Sequence, residues 1–230
     1  MEANSIAIDG PSGAGKSTLA KMLARHLGII YVDTGALYRT VGLRALERGA
    51  DAKDAAQVTA LLEEISIEMR HDAYGGQRVI LNGEDVTDKI RSPTASVYAS
   101  DVSAHPAVRS FLLDMQRSMA KKYDVVMDGR DIGTVIMPDA GVKLFLTASP
   151  EVRAQRRFAE LCERGVETTY ESVLRDINYR DDNDRARASA PLRKPEGAIE
   201  VDTSEIGLEA SFEQLRDIIS ERLKVKNDRT

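Results

Sequence analysis

The sequence predicts an α/β fold in which a mainly parallel β-sheet is flanked by helices, in a chain of 230 residues. Three observations favour this fold class. Short apolar runs alternate with amphipathic segments, a glycine-rich turn joins the first run to the first such segment, and polar residues directly follow several runs. Strands of a parallel sheet are covered on both faces, which explains why these runs are almost continuously apolar.

The elements follow from these patterns in chain order. The predicted strands are residues 5–9, 29–32, 124–127, 142–146 and 198–201. The first helix follows the glycine-rich turn, and the second extends to about Gly49. We expect a helical segment after the third strand and another after the fourth, and a closing amphipathic helix at 208–223.

Residues 64–91 depart from this order and predict a small antiparallel insert. Apolar and polar residues alternate over 65–69, which is the spacing of a strand with one buried face. Gly75-Gly76 separates this run from the apolar residues 79–81, and Asn82-Gly83 is a dipeptide typical of tight turns between antiparallel strands.

Composition excludes several classes of protein. The net charge of −5, with 5% aromatic residues and no Trp, argues against a polynucleotide-binding protein. The single cysteine, Cys162, excludes an internal disulfide and favours a reducing compartment, and His26, His71 and His105 are too scattered for a zinc site. We find no signal-peptide pattern, no membrane-spanning apolar run and no heptad pattern, so we expect a cytoplasmic monomer that does not bind membranes.

Residues 10–17, Gly-Pro-Ser-Gly-Ala-Gly-Lys-Ser, match the phosphate-loop pattern G-x-x-x-x-G-K-[ST] between a predicted strand and a predicted helix. The glycines let backbone N–H groups point at phosphate oxygens, and the helix N-terminus adds a positive dipole. Lys16 would bridge the β- and γ-phosphates, and the Ser17 hydroxyl would ligate Mg²⁺. Thr18 also fits simple packing at the helix start. The predicted ATP-binding residues are Gly10, Pro11, Ser12, Gly13, Ala14, Gly15, Lys16, Ser17, Thr18 and, from a later helix, Arg156.

Two other classes of phosphate-loop protein are rejected. A GTPase needs an [NT]-K-x-D motif to read guanine, and the nearest string, residues 225–228, begins with Val in a polar tail. Residues 74–78 faintly resemble the signature of transporter ATPases, but they lack its Ser and lie in a predicted hairpin.

Asp33-Thr34-Gly35-Ala36 begins where the second predicted strand ends, at the binding edge of an open parallel sheet. Thr34 either contacts a ligand or caps the next helix. Arg39, about one turn later, either reaches an anion near the helix start or is a solvated surface charge.

Asp128-Gly129-Arg130-Asp131 follows another buried apolar run. Asp128 is placed like the acid that orients the water ligands of Mg²⁺ in phosphate-loop enzymes. Arg130 could hold a phosphate through two hydrogen bonds, and Asp131 could accept one from an exocyclic amine, as acidic side chains do for cytosine. The alternative is a turn held together by an Asp–Arg pair.

Residues 150–193 are predicted to be helical and rich in arginine, with nine arginines from Arg153 to Arg193. Arg180, Asp184 and Arg187 share one helix face, and Asp181 and Arg185 share the neighbouring face. A salt-bridged solvent helix would explain this pattern. The preceding helical segment, however, adds further cations that could neutralise a polyphosphate: Arg153, Arg156, Arg157 and Arg164.

Four motifs, in this order, resemble those of the bacterial cytidylate (CMP/dCMP) kinases: residues 10–17, 33–39, 128–131 and 180–187. The resemblance covers about residues 5–205. The resemblance implies a P-loop NTPase fold in one domain. It divides the chain into a core, a nucleoside-monophosphate (NMP)-binding insert and a helical Arg-rich lid. We expect the core at 1–63, 92–150 and 196–230, the insert at 64–91 and the lid at 151–195.

The resemblance also implies roles for single residues. The acceptor phosphate or the transferring group would contact Thr34, Arg39, Arg130 and Arg187; in the family Ser also occurs at the position of Thr34. Cytosine would be read by Ser100, Arg109 and Asp131, although Ser100 and Arg109 also fit ordinary helical sequence. The sugar and adjacent phosphate would contact Arg180 and Asp184. Lys16, Arg130, Arg180 and Arg187 would be catalytic, and Mg²⁺ would bind Ser17 and, through water, Asp128.

The activity implied is ATP + (d)CMP ⇌ ADP + (d)CDP, with Mg²⁺ as cofactor and ATP and CMP or dCMP as the small-molecule partners. Because water would compete as an acceptor, we expect the insert and the helices at 153–187 to close over the nucleotides. Two alternatives remain: a kinase for another small acceptor such as UMP, AMP or shikimate, and a nucleotide-dependent switch protein without an acceptor.

Overall fold

The computed structural model describes residues 5–71 and 76–227, which form eight strands and eight α-helices. The strands are β1 (Ser5–Asp9), β2 (Ile30–Asp33), β3 (Ile67–His71), β4 (Gln77–Leu81), β5 (Glu84–Asp85), β6 (Val125–Gly129), β7 (Val142–Thr147) and β8 (Ile199–Asp202). The helices are α1 (Lys16–Leu27), α2 (Thr34–Glu47), α3 (Ala55–Leu62), α4 (Pro93–Val102), α5 (Pro106–Lys122), α6 (Pro150–Glu163), α7 (Tyr170–Ala186) and α8 (Leu208–Asn227).

The central sheet has five parallel strands in the order β2-β6-β1-β7-β8. The predicted α/β fold with its parallel sheet is therefore confirmed, and each predicted strand overlaps an observed one. All five strands run in one direction, so the loops that follow them meet at one edge of the sheet.

The inner strands β1 and β6 are buried on both faces of the sheet, because they are largely apolar. Ile6 and Ile8 of β1 pack on one face with Leu19 of α1 and Leu215 of α8. Ala7 packs on the opposite face, in a cluster that includes Val32, Met127 and Ile136. Each such aliphatic side chain, fully removed from water, stabilises the fold by about 1.5–3 kcal/mol.

The helical segment expected after β6 is only a π-helical turn, Ile132–Ile136. Asp9 explains part of this, because its carboxylate accepts hydrogen bonds from Ile132 N at 2.7 Å and Gly133 N at 2.8 Å and fixes the start of the turn. Pro138 follows closely and disfavours helical backbone at the residue before it.

The predicted antiparallel insert is present as the sheet β3-β4-β5. Asn82 and Gly83 form the tight turn between β4 and β5, with φ of 50° and 88°. Gly76 precedes β4, whereas Gly75 lies outside the described residues. Gln77 fixes the insert to the end of β2, since its side-chain oxygen accepts a hydrogen bond from Asp33 N at 2.8 Å.

The Arg-rich segment folds into α6 and α7, which pack through an apolar cluster of their own. Ala154 and Leu161 of α6 contact Val173 and Ile177 of α7 in that cluster. Over the part of the chain that the structure describes, no helix has the length and hydropathy needed to cross a membrane.

Candidate active site

The phosphate loop lies between β1 and α1, in a conformation that requires glycine. Gly10, Gly13 and Gly15 have φ of 148°, 79° and 83°, which other residues rarely adopt. A Cβ atom on Gly10 would also clash with the carbonyl oxygen of Leu146. The loop thus keeps its backbone N–H groups available for an anion.

Lys16 is buried beneath this loop, where its Nζ donates a hydrogen bond to Pro11 O at 2.6 Å. Burial holds the pKa of Lys16 well below its ordinary value, and the nearby charge of Arg130 lowers it further. The phosphates of a bound nucleotide would favour the charged ammonium of Lys16.

A cleft of about 690 Å³ opens beside the loop at the carboxyl edge of the sheet. Ten Lys and Arg side chains and five Asp and Glu side chains line it among the described residues, so the cleft is cationic although the whole chain is acidic. Most of the predicted site residues line it: Ser12, Gly13, Ala14, Gly15, Lys16, Ser17, Thr18, Thr34, Arg39, Ser100, Asp128, Arg130, Asp131, Arg156, Arg180, Asp184 and Arg187.

The other predicted residues support the lining from behind. Pro11 holds Lys16 through its carbonyl oxygen, and Gly10 forms the turn after β1. Arg109 is buried and donates a hydrogen bond to the carboxylate of Asp131.

Asp128, at the end of β6, connects the start of α1 to β2 at the edge of the cleft. Its Oδ2 accepts a hydrogen bond from Ser17 Oγ at 2.9 Å, and its Oδ1 accepts one from Tyr31 OH at 2.8 Å. Burial raises the pKa of Asp128, and the charge of Asp33 raises it further. Thr34 Oγ1 donates to Asp128 O at 2.8 Å, which places the Thr34 hydroxyl against the same strand end.

The oxygens of Ser17 and Asp128 fit Mg²⁺, which prefers hard oxygen ligands and keeps several waters when it binds with phosphates. Among the described residues, no group of three or more His, Cys, Asp and Glu side chains could hold a metal without further ligands. The oxygens of Ser17 and Asp128 would suit a magnesium ion bound together with a nucleotide, whose phosphate oxygens would supply further ligands.

Asp33, rather than Thr34, caps α2, since its Oδ1 accepts a hydrogen bond from Ala36 N at 3.0 Å. The capping alternative for Thr34 is thus wrong, because Thr34 is already the first residue of the helix. Asp33 Oδ2 accepts from Arg39 Nη2 at 2.7 Å, so Arg39 is held at the cleft and is not a solvated charge. The Arg39 Nε atom is buried without a protein partner.

Asp184 of α7 lies between two arginines of the cleft. Its Oδ2 accepts from Arg130 Nε at 2.7 Å, and its Oδ1 accepts from Arg187 Nη2. Burial lowers the pKa of Arg187 to about 10, and the charge of Arg130 is the next largest cause of this shift. The Arg187 Nε atom is buried without a protein partner. Burial followed by the charge of Arg130 likewise lowers the pKa of Arg180 to about 9. These depressed values identify a site that favours added negative charge.

Ser100 of α4 and Asp131 of the loop after β6 both line the cleft, whereas Arg109 of α5 lies behind them. Arg109 binds Asp131 Oδ2, and its guanidinium lies 5.6 Å from the centre of the Tyr38 ring. Ser100 Oγ accepts from Asn183 Nδ2 at 3.4 Å, which links the group to α7. The three buried side chains make one polar corner, in which Ser100 and Asp131 line the cleft and Arg109 supports Asp131 from behind.

The loop after β8 also lines the cleft, and we did not predict this from the sequence. Thr203, Ile206, Gly207 and Leu208 line it after β8. Arg156 is bound there, with Nη1 donating to Thr203 Oγ1 at 3.0 Å. The signal was available, because a loop at the carboxyl end of any strand in a parallel sheet borders the binding edge.

The sequence is similar to those of known proteins over nearly its whole length. The family model for cytidylate kinase matches residues 6–221. A cytidylate kinase of Fervidobacterium nodosum is 48% identical over 221 residues, which cover 96% of this chain and 98% of that protein. One of Caldicellulosiruptor saccharolyticus is 47% identical over 218 residues, which cover 95% and 96%. A solved structure of an uncharacterized protein from Eubacterium ventriosum has a TM-score of 0.50 at 15% identity, covering 96% of this chain and 99% of that one, and is a likeness of fold alone. The chain belongs to the cytidylate kinase family.

Proposed function

We propose that this chain transfers the γ-phosphate of ATP to CMP and dCMP, which yields ADP with CDP or dCDP. The observation that carries the proposal is the arrangement of a single cleft, which has a phosphate loop on one side and a buried polar corner on the other. Family membership supports the same reaction.

The donor side would bind ATP through the predicted residues of the phosphate loop, from Gly10 to Thr18, and through Arg156. Enzymes of this family typically use Mg-ATP. Ser17 and, through water, Asp128 would hold Mg²⁺, whose charge offsets that of the donor phosphates. Lys16 would bridge the β- and γ-phosphates from beneath the loop.

The acceptor phosphate would bind Thr34, Arg39, Arg130 and Arg187. The buried Nε atoms of Arg39 and Arg187 support this role, because each is a donor without a protein partner. Transfer then depends on alignment and on charge neutralisation by Lys16, Arg130, Arg180 and Arg187. No general base is needed, since the attacking atom is already a phosphate oxygen.

Cytosine would bind in the polar corner formed by Ser100, Arg109 and Asp131. Arg109 occupies one Asp131 oxygen, and the cytosine amine would donate to the other. Uracil presents a carbonyl oxygen at that position, which a carboxylate repels, so the corner favours CMP over UMP. Arg180 and Asp184 would contact the sugar and adjacent phosphate, while Asp184 also orients Arg130 and Arg187.

We also propose the domain division predicted from the sequence, with the insert at 64–91 and the lid at 151–195 moving over a core of 1–63, 92–150 and 196–230. The separate apolar cluster of α6 and α7 supports movement of the lid as a unit. We further propose that the chain acts in the cytoplasm, where ATP is available, and that it acts as a monomer, as expected from the lack of a heptad pattern in its sequence.

A coupled assay of ADP formation tests the reaction with CMP, dCMP, UMP, AMP, GMP and shikimate as acceptors. We expect CMP and dCMP to be the best acceptors. Preference for UMP or shikimate would establish the alternative kinase, and ADP formation independent of every acceptor would establish the switch protein.

A further inference from the structure

Arg153 of α6 is among the largest fully buried side chains of the described residues, with 1% of its surface exposed. Our sequence reasoning placed it among the cations that could neutralise a polyphosphate. The structure instead turns its guanidinium away from the cleft, and its charge is balanced by Asp181 of α7, which is 2% exposed. A buried charge needs a specific set of partners to be retained.

The partners of Arg153 belong to three parts of the fold. Its Nη1 and Nη2 bind the two carboxylate oxygens of Asp181 at 3.0 and 2.6 Å, and its Nε donates to Ala148 O at 2.8 Å. Nη1 also donates to Ser12 O, inside the phosphate loop, at 2.9 Å. One side chain thus joins the lid helices, the end of β7 and the loop expected to bind ATP.

The bond to Ser12 constrains the loop because of peptide geometry. In a planar trans peptide the C=O of one residue and the N–H of the next point in opposite directions. Holding the Ser12 carbonyl outward therefore directs the Gly13 N–H inward, toward the phosphate position. Gly13 also packs closely on α6, since a Cβ atom there would lie 3.0 Å from Arg153 Cβ.

We infer that Arg153 and Asp181 form a positioning pair that fixes the phosphate loop for the donor nucleotide. Asp181 aligns the guanidinium, and the guanidinium holds the Ser12 peptide in the orientation that binds phosphate. Neither residue is among those that line the cleft. The inference rests on the proposed function for its kinetic consequences, but its effect on ATP binding does not depend on the acceptor.

The acceptor side of α7 has separate attachments. Tyr179 OH donates to Asp101 Oδ1 at 2.6 Å, and Asp184 binds Arg130 at 2.7 Å. Loss of the Arg153–Asp181 pair should therefore disturb the donor side more than the acceptor side. This asymmetry distinguishes positioning of the loop from general loosening of the fold.

The first test is Arg153→Lys, which keeps the charge but cannot form the same forked set of bonds. We expect kcat/KM for ATP to fall by about 100-fold, the size of loss that follows small misplacements of a bound substrate. The KM for ATP should rise several-fold more than the KM for CMP. Equal changes in both KM values, or wild-type kinetics in the folded variant, would overturn the inference.

If Arg153→Lys does not fold, the double variant Arg153→Met with Asp181→Leu replaces it in the test. It removes both charges together, and apolar replacement of a buried pair often preserves stability. We expect a folded protein with the same ATP-selective defect, because the Ser12 tether is lost. A folded double variant with wild-type KM for ATP would also overturn the inference.

Arg185→Met is the matched control, because Arg185 is the exposed second partner of Asp181, at 3.5 Å, and has no bond to the loop. We expect its kinetics to match the wild type. Isothermal titration calorimetry measures the binding of a non-hydrolysable ATP analogue to each folded variant. This measurement distinguishes failure of the positioning pair from failure of the proposed function. If the wild type phosphorylates no CMP, the proposed function is wrong. If the Arg153 variants bind the analogue as tightly as the wild type does, the positioning role of Arg153 and Asp181 is wrong.

Discussion

The donor side and the acceptor side of the cleft are built in different ways. The donor side is one continuous stretch of backbone, residues 10–18, whose shape depends on glycines with positive φ. The acceptor side is assembled from side chains of α2, α4, α5, α7 and the loop after β6, joined by ion pairs such as Arg109–Asp131. On the proposed function, the donor phosphates would be bound mainly by local backbone geometry, whereas the acceptor nucleotide would be bound by side chains that the tertiary fold brings together.

The largest expected effect is that of Lys16→Ala on the donor side. The Lys16 ammonium lies beneath the loop and would contact the transferring phosphate, so its removal should lower kcat by about 1000-fold or more. The coupled assay measures this loss, and circular dichroism should show an unchanged fold. Substantial remaining activity would contradict the assignment of the phosphate loop.

Gly10→Ala tests whether the donor side depends on backbone shape. The new methyl group would clash with Leu146 O, at a φ of 148° that alanine does not favour, so we expect the unfolding free energy to fall by about 3 kcal/mol. Urea denaturation measures the change.

Gly28→Ala is the matched control, because Gly28 also has a positive φ, 68°, but no atoms near its Cβ position. It should cost only about 1 kcal/mol for the backbone conformation. Equal losses in the two variants would mean that the contact with β7 is not what requires Gly10.

Asp131→Ala tests whether the acceptor side depends on tertiary contacts. We expect the ratio of kcat/KM for CMP to that for UMP to fall by about 100-fold, because the carboxylate that accepts the cytosine amine is removed. Turnover of UMP is the internal control and should change less. An unchanged ratio would remove Asp131 from base recognition.

Apart from the Gly28 control, the smallest expected effect is that of Asp9, whose carboxylate joins the end of β1 to the turn after β6. Burial raises its pKa to about 6 from an ordinary value of 3.8, while the bonds from Ile132 N and Gly133 N oppose the shift. Asp131 and Lys16 are the charged groups that act on it, and they raise and lower its pKa respectively. Between these two pH values the folded state holds a proton that the unfolded state has released, so this group makes stability fall as the pH rises.

Urea denaturation of wild type and Asp9→Asn at pH 4.5 and 6.5 tests this linkage. From pH 4.5 to 6.5 the wild type should lose about 2 kcal/mol more than the variant, in which the group no longer titrates. Parallel pH profiles would show that the carboxyl of Asp9 is not responsible.

The contrast between the two sides also explains what could be predicted from the sequence. The five strands of the parallel sheet and the phosphate loop followed from local patterns, because apolar runs and glycine spacing act within a few residues. The roles of Ser100 and Arg109 came from resemblance alone, since both lie in ordinary helical sequence. The direction of Arg153 could not be predicted, because its carboxylate partner is 28 residues away on another helix.

Asp184 has a consequence for turnover. Its two carboxylate oxygens bind Arg130 and Arg187, the arginines proposed to hold the transferring phosphate. A resident anion of this kind competes with the nucleotide for the same guanidinium groups. When the diphosphate product leaves, both arginines can return to a partner within the protein instead of remaining unpaired in a buried site. If these arginines hold the phosphate as proposed, the carboxylate would weaken the hold on product and favour its release, which often limits the rate of enzymes that close over their substrates.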